Sequence, residues 1–200
     1  MPTRAEVVEF WRKWRWYERN GLPLRRLAIY AEFAKRRSFP RWPLHGADVL
    51  EMLRDGRLTL GEQVHLEPNV WITGGPEATI AIGGGTFLNQ GVMVSAADSI
   101  TIGEHCMFAN GSLITDANHR FDDLELPIPW QGFTSKGPVV IGDNVWAGAN
   151  VVITSGVTIG RRTVIGANSV VTSDLPDFAI CAGAPAKVLR RYGPGLGATD

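Results

Sequence analysis

A dipeptide of an aliphatic residue and glycine recurs at fixed spacing in the second half of the chain. It occurs at Ile141-Gly142 and Ile159-Gly160, which are 18 residues apart, and again six residues later at Ile165-Gly166. A period of six inside a period of 18 fits neither the turn of an α-helix nor the alternation of an ordinary strand. It is typical of a solenoid with three short flat faces per coil and one inward aliphatic residue at each corner.

A longer phrase, aliphatic–any–aliphatic–Gly, occurs five times along the chain. The copies begin at residues 58, 80, 100, 139 and 157, so their spacings are 22, 20, 39 and 18 residues. If 18 residues make one coil, the small surpluses predict corner bulges, and the surplus of 39 over 18 predicts a long loop over 120–137. Repeat proteins often carry such insertions on the binding face, and a loop this long is usually functional.

The composition excludes some classes of function. The 20 Lys and Arg residues equal the 20 Asp and Glu residues, which argues against nucleic acid as a partner. Cys106 and Cys181 both lie in aliphatic repeats, so we expect two buried free thiols in a reducing compartment. Charges interrupt the apolar residues of the N-terminus, and no run of about 18 apolar residues occurs, so we expect neither a signal peptide nor a membrane span. The expected location is the cytoplasm.

Residues 1–57 are predicted to form an N-terminal helical segment and a connector. Apolar residues recur at helical spacing before Asn20-Gly21, and Pro23 can occupy the first turn of a second helix that stops at 38–40. A short helical piece is expected over about 48–54.

Three tryptophans, Trp11, Trp14 and Trp16, lie among arginines in the first of these helices. We favour docking of the aromatic rings on the solenoid or on a neighbouring subunit, with the arginines in solvent. The alternative is a helix that contacts the inner face of the membrane peripherally.

Residues 58–191 are predicted to form the β-helix domain. Its end, 178–191, fits a last strand followed by a short basic C-terminal helix, and 192–200 fits a disordered tail. The predicted fold class is therefore mainly β: a parallel β-helix of hexapeptide repeats with an N-terminal α-helical segment, a long protruding loop and a short C-terminal helix.

These motifs together resemble those of one family. The sequences TDANHRFDD before the loop and SKGPVVIGDNVWAGANVVI, VVTSDLP and AGAPAKVLRR after it are similar to those of the hexapeptide-repeat acyltransferases. Within that family the chain resembles galactoside/maltose O-acetyltransferases and lipopolysaccharide- and capsule-modifying O-acetyltransferases, over about residues 58–191. The resemblance implies a left-handed parallel β-helix and a homotrimer. It also implies acetyl-CoA, or a longer acyl-CoA, bound between neighbouring β-helices, with no metal.

The resemblance also implies roles for individual residues. His119 corresponds to the catalytic histidine, and Asn89 to an asparagine that faces the acceptor. Asp116 is a further candidate near the acceptor, and Trp130 offers either a stacking surface for a sugar ring or an anchor for the loop. The positions that correspond to the coenzyme cleft are Ala109, Trp146, Gly148, Ala149, Ala167, Thr172, Lys187 and Arg190.

The chain departs from the family's pattern in places. Many relatives have two histidines where this chain has Asp116-Ala117-Asn118-His119. Ala147 stands where relatives have Ile, Ser173 where some have Lys, and Ala149 lacks the hydroxyl often found there. These departures bear on coenzyme affinity and acyl-chain length more than on the type of reaction.

The residues suit acyl transfer from a thioester to a hydroxyl. The attacking alcohol must lose a proton, and a neutral imidazole is suited to accept it. We expect direct attack in a ternary complex, with His119 as general base and a backbone N–H near Gly148-Ala149 at the oxyanion. Asp116, an acidic residue of the loop, or a backbone carbonyl would orient the other ring nitrogen. The expected acceptor is a sugar, a glycan or a lipid-linked glycan.

Three alternatives stay open from the sequence. The acceptor could be an amine, on an amino sugar or an antibiotic. A zinc enzyme of the carbonic anhydrase type would need His65, His105 and His119 to converge on one metal. A third alternative is a β-helix scaffold without enzymatic activity.

Overall fold

The chain winds into a parallel β-solenoid in which short strands of successive coils pair with one another. The structure is a computed structural model that describes residues 22–46 and 48–193, together with Arg4 and Val8. The paired strands form three sheets around one core, and we call these sheets face A, face B and face C. The solenoid prediction is confirmed, whereas the left-handed winding stays a prediction.

Faces A and B alternate along each coil. Face A comprises β1 (Phe39–Pro40), β4 (His65–Leu66), β7 (Phe87–Leu88), β10 (Met107–Phe108), β15 (Trp146–Ala147), β18 (Val164–Ile165), β20 (Ala179–Gly183) and β21 (Ala186–Arg191). Face B comprises β2 (Leu44–His45), β5 (Val70–Gly74), β8 (Met93–Ala96), β11 (Leu113–Thr115), β16 (Val152–Ile153) and β19 (Val170–Val171). The solenoid thus begins at Phe39, earlier than the boundary at 57/58 that the repeat phrases predicted.

Face C contains all five copies of the aliphatic–any–aliphatic–Gly phrase, as the repeat predicted. Its strands are β3 (Leu58–Leu60), β6 (Thr79–Ile82), β9 (Ser99–Ile102), β14 (Val139–Ile141) and β17 (Thr158–Ile159). The copies pair in register, with Leu58 opposite Ile80 and Ile80 opposite Ile100. Their aliphatic side chains point inward because side chains along a strand alternate between its two sides.

Aliphatic side chains from successive coils stack inside the solenoid. Val145, Val151 and Val157 are buried at the corners, six residues apart. Each such side chain contributes about 1.5–3 kcal/mol by leaving water. Cys106 and Cys181 are buried free thiols, as predicted, and burial raises the pKa of both.

The corners between faces depend on residues that tolerate a left-handed backbone or a close approach. At the corner between faces A and B, Asn150 and Asn168 have φ angles of 56° and 60°, which asparagine adopts more readily than most residues. At the corner between faces C and A, a Cβ added to Gly83 would lie 2.5 Å from the backbone oxygen of Gly103. Successive coils can therefore pack at this corner only with glycine.

Two helices precede most of the solenoid. Helix α1 (Pro23–Ala34) has proline in its first turn, as predicted, and buries Ile29 and Phe33. Helix α2 (Val49–Asp55) confirms the short helical piece expected near 48–54. The three N-terminal tryptophans lie outside the described residues. Within the described ranges, no helix is both long enough and apolar enough to cross a membrane.

The predicted C-terminal helix is wrong. The last strand, β20, turns at Gly183 and returns as β21, which pairs with it antiparallel and extends face A. Only Ala186 of β21 is buried, so the strand forms by satisfying the backbone groups of β20 rather than by burying an apolar stripe. The 192–200 tail was predicted to be disordered, and most of it lies outside the described residues.

Candidate active site

The long loop folds back on its own base. Strand β12 (Asn118–His119) pairs antiparallel with β13 (Phe133–Thr134), and a 3-10 helix, Ile128–Trp130, lies between them. The buried hydroxyl of Ser155 accepts hydrogen bonds from Asn118 Nδ2 at 3.1 Å and from the backbone N–H of Lys136 at 2.7 Å. One hydroxyl on the next coil therefore ties both ends of this hairpin to the solenoid.

His119 is exposed on that hairpin, at one end of a groove along face B. Its ring centroid lies 4.5 Å from that of Phe133, with the planes tilted by 39°. The groove has a volume of about 850 Å³. Its lining comprises Trp71, Thr73, Gly74, Gly75, Pro76, Met93, Ser95, Ala96, Ala97, Asp98, Leu113, Thr115, Ala117, His119, Phe133, Thr134 and Ser135.

The groove has a hydroxyl-bearing strip and an apolar strip. Thr73, Ser95 and Thr115 stand opposite one another on three successive strands of face B. Two residues before each of them, on the same outward side, lie Trp71, Met93 and Leu113. Sequence reasoning missed this strip of hydroxyls, although aligning the outward positions of successive coils would have brought it out.

The carboxylate of Asp116 holds a corner beneath the groove. It is fully buried, and its Oδ1 accepts the backbone N–H of Ala97 at 2.5 Å. Its Oδ2 accepts the backbone N–H groups of Asp98 and Ser99 at 2.9 and 2.6 Å. Both oxygens are thus engaged and Asp116 does not line the groove, so the geometry favours a supporting role over contact with the acceptor or with His119.

Acidic residues of the loop are also engaged close to the backbone. Asp122 pairs with Arg120 at 3.2 Å, and the guanidinium lowers the pKa of that carboxyl below its ordinary value. The carboxylate of Asp123 accepts two backbone N–H groups of the loop. Trp130 is 76% exposed and lies off the groove, so Phe133 is the loop aromatic that meets the groove.

Most residues predicted to face the coenzyme share the corner between faces A and B. Ala109 and Gly148 lie there on successive coils, and a Cβ on Gly148 would come within 2.7 Å of the backbone nitrogen of Ala167. Asn89 lies at the same corner, one coil before Ala109. The N–H of Gly148 donates to the next coil at 2.8 Å, which leaves the N–H of Ala149 as the candidate donor to an oxyanion.

The face A side of this corner carries an aromatic and two cations. Trp146 is 52% exposed and heads a row of outward side chains through Val164 and Ile180 to Arg190. At about 4.8 Å per strand, the row places Arg190 some three strands, or about 14 Å, from Trp146. Lys187 is exposed on the same last strand. Thr172 follows face B instead, on the side of His119.

One chain does not bring the two groups of predicted residues together. Six residues of face B, from Asn110 to Asp116, separate the corner with Ala109 from the corner that leads to His119. At about 3.3 Å per residue this is about 20 Å. The histidines of the zinc alternative are also dispersed, because His65 points outward from face A and His105 lies at the corner between faces C and A.

Comparison with known proteins places this geometry in a family. Residues 138–173 match the family model described as bacterial transferase hexapeptide (six repeats). A probable acetyltransferase of Mycobacterium tuberculosis is 37% identical over 134 residues, covering 67% of this chain and 44% of that protein. Galactoside O-acetyltransferase of Escherichia coli is 33% identical over 139 residues, covering 70% of this chain and 66% of that protein. The chain thus spans less than two thirds of the length of both relatives.

A solved structure of a galactoside acetyltransferase in complex with coenzyme A has the same fold. Its TM-score is 0.59 at 32% identity, with 86% of this chain and 82% of that chain covered. The three-faced solenoid with its looped-out histidine defines the class of hexapeptide-repeat transferases. The chain belongs to the hexapeptide-repeat acetyltransferases, which confirms the resemblance drawn from its motifs.

Proposed function

We propose that the protein is an acetyl-CoA-dependent O-acyltransferase that acts on a hydroxyl of a sugar or glycan. The observation that carries this proposal is the exposed imidazole of His119 at the end of a groove with a hydroxyl-bearing strip. A groove with one reactive imidazole and several hydroxyl groups suits a polyhydroxylated acceptor. The names of the relatives, and the coenzyme A bound to the solved relative, support an acyl-CoA donor.

The proposed reaction is a direct transfer in a ternary complex. The acceptor oxygen attacks the thioester carbonyl while His119 takes the hydroxyl proton, and the backbone N–H of Ala149 donates to the developing oxyanion. The tetrahedral intermediate then collapses, its C–S bond breaks, and the leaving thiolate takes the proton back from the imidazolium. The products are an acyl ester and free coenzyme A thiol, and the histidine returns to its neutral state.

The acyl donor and His119 would meet between neighbouring copies of the chain. Outward positions on face A include Phe39, Met107 and Trp146, all more than half exposed, and those on face B include Met93 and Leu113. Face C instead presents mainly threonine and alanine. Exposed apolar rows of this kind mark interaction surfaces. Packing face A of one copy against face B of the next gives a heterologous contact that closes as a ring, which supports the proposed homotrimer.

Release of free thiol from acetyl-CoA tests the proposed activity. The purified protein is supplied with panels of neutral sugars, nucleotide sugars, oligosaccharides and amino sugars. Stimulation by hydroxyl acceptors is the expected result. Stimulation by amines alone would favour the N-acyltransferase alternative, and no stimulation by any acceptor would contradict the transferase proposal.

Mixing two variants tests the shared site. His119→Ala and Trp146→Ala each damage a different half of the site. In randomly mixed trimers, about a quarter of the sites join two intact halves. We therefore expect mixed and reassembled samples to recover about a quarter of the wild-type rate. Recovery no greater than the sum of the separate variants would place both halves of the site on one chain.

A further inference from the structure

The groove extends well beyond the position of His119. Its lining crosses three strands of face B, from Thr115 through Ser95 to Thr73, and ends near Gly75. Adjacent strands are about 4.8 Å apart, so the outer two strands are separated by about 10 Å. The volume of about 850 Å³ lies toward the upper end of the range for small-molecule sites. A single sugar ring at His119 would leave the far part of the groove empty.

Small residues account for this length. Ala117, Ala97 and Gly75 occupy the corner between faces B and C on three successive coils, and all three line the groove. The loop strand with Phe133 stands opposite them as the other wall. The apolar side chains of Met93 and Leu113 run alongside the row of hydroxyls. Such a surface matches a saccharide, whose ring faces carry C–H groups and whose edges carry hydroxyls.

The charge of the groove is one-sided. Among the described residues that line it, the ionisable side chains are His119 and Asp98, and neither lysine nor arginine is present. The exposed Asp98 is held in place through its backbone N–H, which donates to the buried carboxylate of Asp116. The nearby Arg120 is paired with Asp122. A carboxylate or phosphate on an acceptor would therefore meet negative charge without a compensating cation.

We infer that the acceptor is a saccharide of at least two rings that carries no negative charge, and that Asp98 is the residue that rejects anionic acceptors. The reacting ring lies at His119, and the next ring lies over Ser95 and Thr73. This inference rests on the proposed function, because it concerns the acceptor of the same site. It excludes nucleotide-activated sugars and uronic acids as preferred substrates.

Matched acceptors test the inference. Acetyl-CoA thiol release is measured with methyl hexosides, with neutral disaccharides of the same hexoses, and with disaccharides whose non-reacting ring is a uronic acid. We expect kcat/KM to be about tenfold higher for the neutral disaccharide than for the hexoside, and about tenfold higher than for its uronic acid counterpart. Equal values across the three acceptors would overturn the inference while leaving the transferase proposal intact. No release with any acceptor would overturn both.

Variants assign the selectivity to residues. Asp98→Asn keeps the shape of the groove and removes its charge, so the discrimination against the uronic acid should fall about tenfold. The control Glu104→Gln removes an exposed charge near the corner between faces C and A on a neighbouring part of the chain, and should keep the discrimination. Gly75→Leu has room for its Cβ, whose nearest neighbour lies at 3.5 Å, and should remove the preference for the disaccharide. An unchanged uronic acid ratio in Asp98→Asn, or an unchanged disaccharide preference in Gly75→Leu, would contradict the corresponding assignment.

Discussion

Removing the carboxylate of Asp116 should destabilise the protein far more than removing an exposed carboxylate that makes similar bonds. Asp116 is fully buried and accepts three backbone N–H groups from the corner at 97–99. In Asp116→Ala these donors lose their partner. In Asp116→Asn one side-chain oxygen remains, but the amide nitrogen turns a donor toward a backbone donor.

The magnitude follows from the number and exposure of the lost bonds. Hydrogen bonds to a charged group contribute about 1.5–3 kcal/mol each, so three bonds set an upper bound of about 9 kcal/mol. Ala97 and Asp98 are exposed, so water replaces part of this loss, and we expect about 3–4 kcal/mol for Asp116→Ala. For a chain of this size, such a loss lowers Tm by about 6–16 °C. Asp116→Asn should lose about half as much.

Thermal unfolding followed by circular dichroism measures the effect, with Asp123→Ala as the matched control. Asp123 also accepts two backbone N–H groups, at 2.9 and 3.2 Å, but it lies in the exposed loop. Solvent can replace its bonds, so we expect a loss under about 1 kcal/mol. A Tm of Asp116→Ala close to that of Asp123→Ala would refute the supporting role assigned to Asp116.

Three further predictions concern the coenzyme face, the coil spacing and the thiols. Trp146→Ala should raise KM for acetyl-CoA with little change in Tm, since its side chain is half exposed; an unchanged KM in thiol-release kinetics would count against it. Gly83→Ala should cost several kcal/mol, because its Cβ meets backbone at 2.5 Å, whereas Gly56→Ala, at φ +83° with open space around it, should cost only about 1 kcal/mol; equal midpoints in urea unfolding would contradict this. Cys106 and Cys181 should react with a disulfide reagent at pH 8 only after unfolding, because burial raises both pKa values and keeps the thiols neutral; rapid labelling of the native protein would disagree.

The repeat predicted the solenoid because its signal is carried by inward side chains. Each of the five phrases places two aliphatic residues on the inner side of face C, and the structure pairs them in register. The long surplus likewise located the loop after His119. These features depend on spacing along the chain, which one sequence reveals directly.

The C-terminal hairpin could not be read in the same way. Strand β21 carries exposed side chains at all but its first position, so it has no inward pattern to detect. A basic stretch after a proline fits a helix equally well by composition. The strand forms because the open edge of β20 offers backbone donors and acceptors, and a local pattern does not record such an edge.

The groove and the role of Asp116 also depend on neighbours from other coils. The donors to Asp116 lie 17 to 19 residues earlier in the chain, and the hydroxyls that line the groove come from three coils. Resemblance assigned residues such as His119 and Ala109 to one site. Only the arrangement of the faces reveals that a single chain keeps them about 20 Å apart.

The measurement that tests the central claim most directly is acceptor-dependent thiol release by His119→Ala. A general base contributes about 10²–10⁴-fold to such a reaction, so kcat should fall by at least about a hundredfold. The KM for acetyl-CoA should stay near its wild-type value, because the proposed coenzyme residues lie mainly at the other corner, and Tm should change little because His119 is exposed. A His119→Ala protein that retains a third or more of the wild-type kcat would contradict the assignment of His119 as the general base.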